Sequence, residues 1–186
     1  MTLGDLRERL ADIEREGLYR RRRVVRKLGG AYVECQGREM LDFCSNDYLG
    51  LASHPDVVAA FKRGADEYGV GSTASHLICG HSYAHHALEE ELADFVGRER
   101  ALLFSTGYMA NLGVISALSG RGATVLEDRL NHASLLDGAF LAGARLKRYA
   151  HCDVTDMSVK AKDSTGAFVV TDGVFSMDGE IGRAHV

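Results

Sequence analysis

Between residues 101 and 171 the sequence alternates short apolar runs with longer segments whose apolar residues recur at helical spacing. No other feature narrows the choice of fold as far. The runs at 101–104, 123–126, 146–150 and 167–171 have the length of strands buried on both faces. Residues 134–142 and 153–159 read as helices, and another follows Gly107 with apolar Met109, Leu112, Val114, Ile115 and Leu118. Repeated βα units imply right-handed crossovers, hence an α/β fold with a mainly parallel sheet and flanking helices. Ligands of such sheets sit beyond the C-terminal ends of the strands. Three polar clusters fall there and can line one crevice: Ser105-Thr106-Gly107, residues 128–132 and residues 172–176.

The first of these corners suits a phosphate. Ser105 and Thr106 are good N-cap residues, and Gly107 permits close approach of a ligand. The free N–H groups and positive dipole end of the next helix favour an anion. Strand–Ser/Thr–Gly–helix corners are common, however, and most hold none. His132 follows a strand and precedes a helix. A loop imidazole there can stack on a flat ring, act on a proton, or cap the helix. Ser176 stands in a turn rich in Gly and Asp, where a serine bonding its own backbone is the commoner case.

Upstream, Leu3, Leu6, Leu10 and Ile13 recur at helical spacing behind a capping-box-like Thr2-Leu3-Gly4-Asp5, and Gly17 is a suitable stop. The basic run Arg20-Arg21-Arg22-Arg23, with Arg26 and Lys27, reads as a solvated turn or as an anion or carboxylate site. Residues 31–35 and 40–43 make a small hairpin. Pro55 opens a helix with Val57, Val58, Phe61 and Ala65 on its apolar face. Residues 69–82 form a long irregular segment of a kind that is often functional. Residues 85–96 form a helix with Leu88, Leu92, Phe95 and Val96 inward. The net charge of −4 offers no global case for nucleic acid. Cys35, Cys44, Cys79 and Cys152 are scattered without a Cys-x-x-Cys, so neither a zinc site nor a redox pair is indicated. No apolar run reaches the length of a membrane span. The expected setting is cytoplasmic, without metal, membrane or nucleic acid.

Four motifs, in order, carry a resemblance. They are Ser45-Asn46-Asp47-Tyr48-Leu49-Gly50-Leu51, Ser105-Thr106-Gly107-Tyr108-Met109-Ala110-Asn111, Asn131-His132-Ala133-Ser134, and Thr171-Asp172-Gly173-Val174-Phe175-Ser176-Met177-Asp178-Gly179. Together they resemble the α-oxoamine synthases, a family of fold-type-I pyridoxal-phosphate enzymes. Residues 41–51, 85–92 and 128–136 are most similar to the biotin-pathway acyltransferase of that family. That member condenses L-alanine with a pimeloyl thioester, either pimeloyl-CoA or a pimeloyl-carrier protein, and releases CO2. The resemblance implies pyridoxal 5'-phosphate as cofactor and a homodimeric parent. It implies that Gly107 and Tyr108 contact the cofactor phosphate, Tyr108 standing where phenylalanine is usual. His132 would stack on the pyridine ring and touch substrate, and Ser176 would hydrogen-bond on the phenolic-oxygen side. Arg20, first of the basic run, and Asn46, on the interface loop, would bind substrate. The implied organisation is an N-terminal helix, basic run and hairpin over 1–52 and a partial pyridoxal-phosphate large domain over 53–180.

None of Lys27, Lys62, Lys147, Lys160 and Lys162 matches the family's Schiff-base lysine, which lies beyond the Ser176 turn. The chain therefore reads as an N-terminal fragment, inactive alone and without a catalytic residue of its own. Residues 181–186, Ile-Gly-Arg-Ala-His-Val, match the translation of a common sequencing-adapter read-through and are expected to be a non-native tail. Within the family the runner-up is the glycine C-acetyltransferase (2-amino-3-ketobutyrate ligase) type, toward which Ile78-Cys79-Gly80 and Asn131-His132-Ala133-Ser134 lean. A reading of another class is a non-catalytic phosphate-binding or interaction module using the same helix N-termini. A Rossmann nucleotide domain is weaker, because no Gly-x-Gly-x-x-Gly follows the first sheet strand.

Overall fold

The computed structural model describes residues 3–164 and 166–182. They cluster into two compact units, one ending at Thr73 and the other starting at Ala74. Thr2 of the expected capping box, and residues 183–186 of the expected tail, lie outside the described residues. No helix among the described residues is long and apolar enough to cross a membrane.

In the first unit, α1 (Leu3–Arg15) follows the spacing of Leu6, Leu10 and Ile13 and stops before Gly17, whose φ of 69° is left-handed. Beyond the basic run lies an antiparallel sheet of β1 (Val25–Gly29), β2 (Tyr32–Cys35) and β3 (Arg38–Leu41), in that order. The expected hairpin is its β2–β3 half. The β1 strand is not among the expected ones, since Val25-Arg26-Lys27-Leu28-Gly29 has no period-two alternation. Its register is marked by Arg26, which faces Glu34 and pairs with it at 2.5 Å. Only the middle strand buries side chains, Val33 and Cys35. In α2 (Pro55–Tyr68), the His54 ring accepts the Asp56 N–H at 3.3 Å and Pro55 takes the first turn. Its apolar stripe is not covered: Val57 and Val58 are exposed, and Phe61 is 78% exposed.

The second unit begins with a π-helical turn, His76–Gly80, inside the segment expected to be irregular. In α3 (Tyr83–Phe95), Ser82 and His85 cap each other's backbone reciprocally, with His in place of the usual Glu. Ala93 is buried, whereas Leu88, Leu92, Phe95 and Val96, expected inward, are exposed. Periodicity on α2 and α3 states which face is apolar. It does not supply the surface that covers it.

The alternation then appears as α4 (Gly107–Leu118), β4 (Thr124–Asp128), α5 (Ala133–Ala142), β5 (Arg145–Tyr149), α6 (Val154–Lys162) and β6 (Ala167–Val170). The strands form a parallel sheet in the order β5-β4-β6. Every residue of β4, the central strand, is buried. Val125 packs with Ile115 of α4 and with Leu135 and Ala139 of α5, flanked by Ala144, Leu146 and Val170. Two short strands, β7 (Val174–Phe175) and β8 (Glu180–Ile181), pair with each other.

One expected strand is overturned. Residues 101–104 are not in a sheet, and Leu102 is 73% exposed. A strand needs a neighbour's backbone, and no described strand pairs with this run. The Leu103 N–H is donated instead to the Glu89 carboxylate at 3.1 Å.

The α4–α5 contact is close because Gly138 has no side chain. A Cβ there would lie 2.8 Å from Ile115 Cδ1 and 3.0 Å from Ile115 Cβ. Gly138→Ala is expected to cost about 1–3 kcal/mol through overpacking, read as a lower urea midpoint. Ile115→Val in the same background removes the nearer atom and is expected to restore part of the loss.

Candidate functional site

At the start of α4, Thr106 is the N-cap, and its hydroxyl accepts the Met109 N–H at 3.2 Å. A helix start leaves its first N–H groups without intrahelical partners. Those of Gly107 and Tyr108 are engaged by no other group among the described residues and lie at the positive end of the helix. A Cβ placed on Gly107 would meet nothing within 4 Å, so the space beside this residue is open. The Tyr108 hydroxyl donates to the Asp137 carboxylate on α5. That hydrogen bond, chiefly, raises the phenol above its ordinary value. The Tyr108 ring meets His132 edge-on, with centroids 6.1 Å apart.

His132 is the N-cap of α5, so the capping role left open by the sequence is realised. Its Nδ1 accepts the Ser134 N–H at 3.2 Å and lies 2.7 Å from Ser134 Oγ. An accepting Nδ1 leaves the proton of the neutral ring on Nε2. Ser134, fully buried, is itself held by the Asn111 amide of α4 at 2.8 Å. The chain Asn111–Ser134–His132 thus orients the ring from two helices.

The backbone of His132 is held from the turn that follows β6. Its N–H donates to Asp172 Oδ2 at 2.7 Å. The neighbouring Asn131 donates to the Val170 carbonyl at 2.9 Å and accepts the Asp172 N–H at 3.1 Å. One amide side chain therefore ties the end of β4 to the end of β6. Asp128 makes a second tie. It accepts the N–H groups of Leu130 (2.9 Å) and Cys152 (2.8 Å), and its Oδ1 lies 2.9 Å from His151 Nδ1. On its other side His151 Nε2 is 3.1 Å from Glu180. Burial works to raise the Asp128 carboxyl, but the two backbone donors and the imidazole outweigh it and hold it below its ordinary value. Hydrogen bonds to Asp128 and then Glu180 raise His151.

Gly107, Tyr108, His132 and Ser176 come together around one cavity of about 520 Å³, which Ser134 and Asp172 also line. Arg20 and Asn46 belong to the other unit. Arg20 lines a hollow with Arg7, Glu14 and Tyr19, and Asn46 is exposed beside Asp47, which accepts the Ala52 N–H at 3.1 Å. Among the described residues no lysine lines the cavity. Lys147 Nζ is turned to Ser164 Oγ at 2.8 Å and the Lys160 carbonyl at 3.3 Å. Sequence reasoning passed over Asn111, Asn131, Ser134 and Asp172 as individual residues. The available signal was their position: each polar group stands at or near a strand end or first helical turn facing the crevice.

Residues 38–183 match the family model of aminotransferase class I and II. Over 174 residues the chain is 62% identical to the 8-amino-7-oxononanoate synthase of Methylococcus capsulatus, covering 92% of this chain and 45% of that protein. The chain thus spans about half the length of the curated relatives it matches. Among solved structures, a serine palmitoyltransferase of S. paucimobilis with a PLP–myriocin adduct bound is 32% identical, with a TM-score of 0.83 over 96% of this chain and 46% of that one. An 8-amino-7-oxononanoate synthase from Francisella tularensis is 34% identical, with a TM-score of 0.62 over 75% of this chain and 38% of that one.

The Asp128–His151 tie gives stability a definite pH course. A raised His stabilises fully below its unfolded value and loses that contribution as pH rises through its folded value. A depressed Asp contributes above its unfolded value and loses the contribution as pH falls through its folded one. His151→Gln is therefore expected to destabilise most in the mildly acidic range between these limits, and less at alkaline pH, in urea titrations across pH. Asn131→Ala, which strands the Asp172 N–H and the Val170 carbonyl, is expected to cost about 2–3 kcal/mol by the same measurement.

Proposed function

This chain belongs to the aminotransferase class I and II family, and we propose that it forms the phosphate-binding side of a pyridoxal 5'-phosphate site in an 8-amino-7-oxononanoate synthase. The proposed reaction is the decarboxylative condensation of L-alanine with a pimeloyl thioester, a step of biotin synthesis. The observation that carries this reading is the convergence of the α4 N-terminus and the His132 ring on one cavity. It is supported by the 62% identity to a synthase of that name.

The donors suit the group. Two unengaged N–H groups at a helix N-terminus match a phosphate, and an oriented imidazole matches a flat heteroaromatic ring. When bound, pyridoxal phosphate supplies the electron sink for a carbanion at the amino acid's α-carbon. Gly107 and Tyr108 would hold its phosphate through their N–H groups. His132 would lie on its ring, kept in one orientation by Ser134 and Asn111, and would present Nε2–H to the substrate side. Ser176 would hydrogen-bond on the phenolic-oxygen side. Arg20 would take a substrate carboxylate as a charge-assisted pair, and Asn46 would contact substrate as well. On this reading residues 53–180 belong to the cofactor-binding large domain and 1–52 precede it. The needed lysine is assigned to the part of the relatives' length that this chain does not span. The working protein would be a cytoplasmic homodimer.

The test uses the full-length protein. It should bind pyridoxal phosphate with a visible absorbance band and turn over L-alanine with pimeloyl-CoA or a pimeloyl-carrier protein. Turnover confined to glycine with acetyl-CoA would move the assignment to glycine C-acetyltransferase. His132→Ala should weaken cofactor affinity about tenfold, the order of a lost aromatic contact, in a fluorescence titration. Unchanged affinity and turnover would refute the stacking role.

A further inference from the structure

Glu127 is a buried acid that neither the phosphate corner nor the Asp128–His151 tie uses. It stands on β4 two residues after Val125, and so shares the sheet face that carries Val125 against α4 and α5. Its side chain is completely buried, and neither carboxylate oxygen has a hydrogen-bond partner among the described residues. An unpaired charge there is far costlier than a neutral acid.

The charged and titratable groups around it come from three directions. Arg148 faces it across the β4–β5 register, but its guanidinium donates to the Arg129 carbonyl. Tyr149, next on β5, feels the Glu127 charge and is itself raised, chiefly by burial. Asp172 approaches from the end of β6, and the Asn131 amide lies near enough to favour the Glu127 carboxylate, although neither Glu127 oxygen meets hydrogen-bond geometry with it. These last two groups are the ones that hold His132. Asn131 clamps Val170 and Asp172, and Asp172 accepts the His132 N–H. A negative Glu127 would repel Asp172 and attract the Asn131 amide donors away from Val170. Both displacements open the same clamp.

We propose that Glu127 is a positioning residue, a proton-controlled latch on His132. As the neutral acid it leaves Asn131 and Asp172 in place, and the imidazole loop is held. As the carboxylate it draws Asn131 off, pushes Asp172 away and loosens residues 130–132. Burial is the main cause that raises Glu127, to about 7; Asn131 and Arg148 oppose it and Asp172 adds to it. Because the folded value lies above the ordinary 4.5, the folded protein holds an extra proton between those limits. Stability from this source is therefore lost as pH rises through that interval and levels off above about 7.

The latch concerns the chain's own hydrogen bonds, and only its effect on the cofactor rests on the proposed function. Hydrogen exchange read by mass spectrometry on the full-length protein separates the two. Glu127→Gln keeps the shape and cannot ionise. Compared at equal pH, so that intrinsic exchange rates cancel, peptides over 128–134 should be equally protected in both proteins near pH 6. Near pH 8 they should exchange about fivefold faster in the wild type, the factor that goes with about 1 kcal/mol. Peptides over 135–142 should show no such divergence. An identical pH course in both proteins would overturn the latch. If Glu127→Gln does not fold, Glu127→Met, also neutral, takes its place with the same expectation. In a parallel titration, pyridoxal-phosphate affinity should fall through neutral pH in the wild type and stay flat in the variant. If neither protein binds pyridoxal phosphate, the proposed function fails while the exchange data still decide the latch.

Discussion

The candidate site depends on the double-sided pairing of β4. Its backbone is hydrogen-bonded to β5 on one edge and β6 on the other, and its five residues are all buried. Such a strand cannot slide, because a one-residue slip would send Val125 to the wrong face. Its C-terminal end is therefore a fixed point. Asp128 anchors the β5 side through Cys152 and His151, and Asn131 anchors the β6 side through Val170 and Asp172. The His132 loop is strung between these anchors.

From that fixed end, precision is passed on by polar contacts between helices. The close approach at Gly138 and Ile115 brings α4 and α5 together, and Asn111 can then reach Ser134. The same proximity lets the Tyr108 hydroxyl find Asp137. One small residue at a helix crossing thus sets the distance between the two helix N-termini that border the cavity. Glu127 introduces the opposing element. A buried acid without a partner sits beside the amide that holds the loop, so the site's geometry is tied to a proton.

Much of this was legible in the residue pattern. The βα alternation, the Thr106 cap, the glycine opening of α4 and the polar strand ends at His132 and Ser176 all follow from periodicity and local backbone chemistry. Arg20 and Asn46 entered through resemblance, and both lie in the first unit. The misses have a common cause. Residues 101–104 have strand composition but no strand beside them, and the apolar stripes of α2 and α3 have helical spacing but little cover. Apolar composition records what a segment can bury. Burial also needs a partner, which a local pattern does not contain.

By itself the sequence determined the order of most elements and the caps and turns that start and stop them. These depend on contacts within a few residues, where propensity and hydrogen bonding act locally. Only the tertiary structure decided that Asn131 would join β4 to β6, that Asn111 would reach Ser134, and that Glu127 would be buried without a partner. The first two join residues 23 to 41 positions apart, as in Asn111 with Ser134 and Asn131 with Asp172. Separations of that size are set by how the sheet and helices pack.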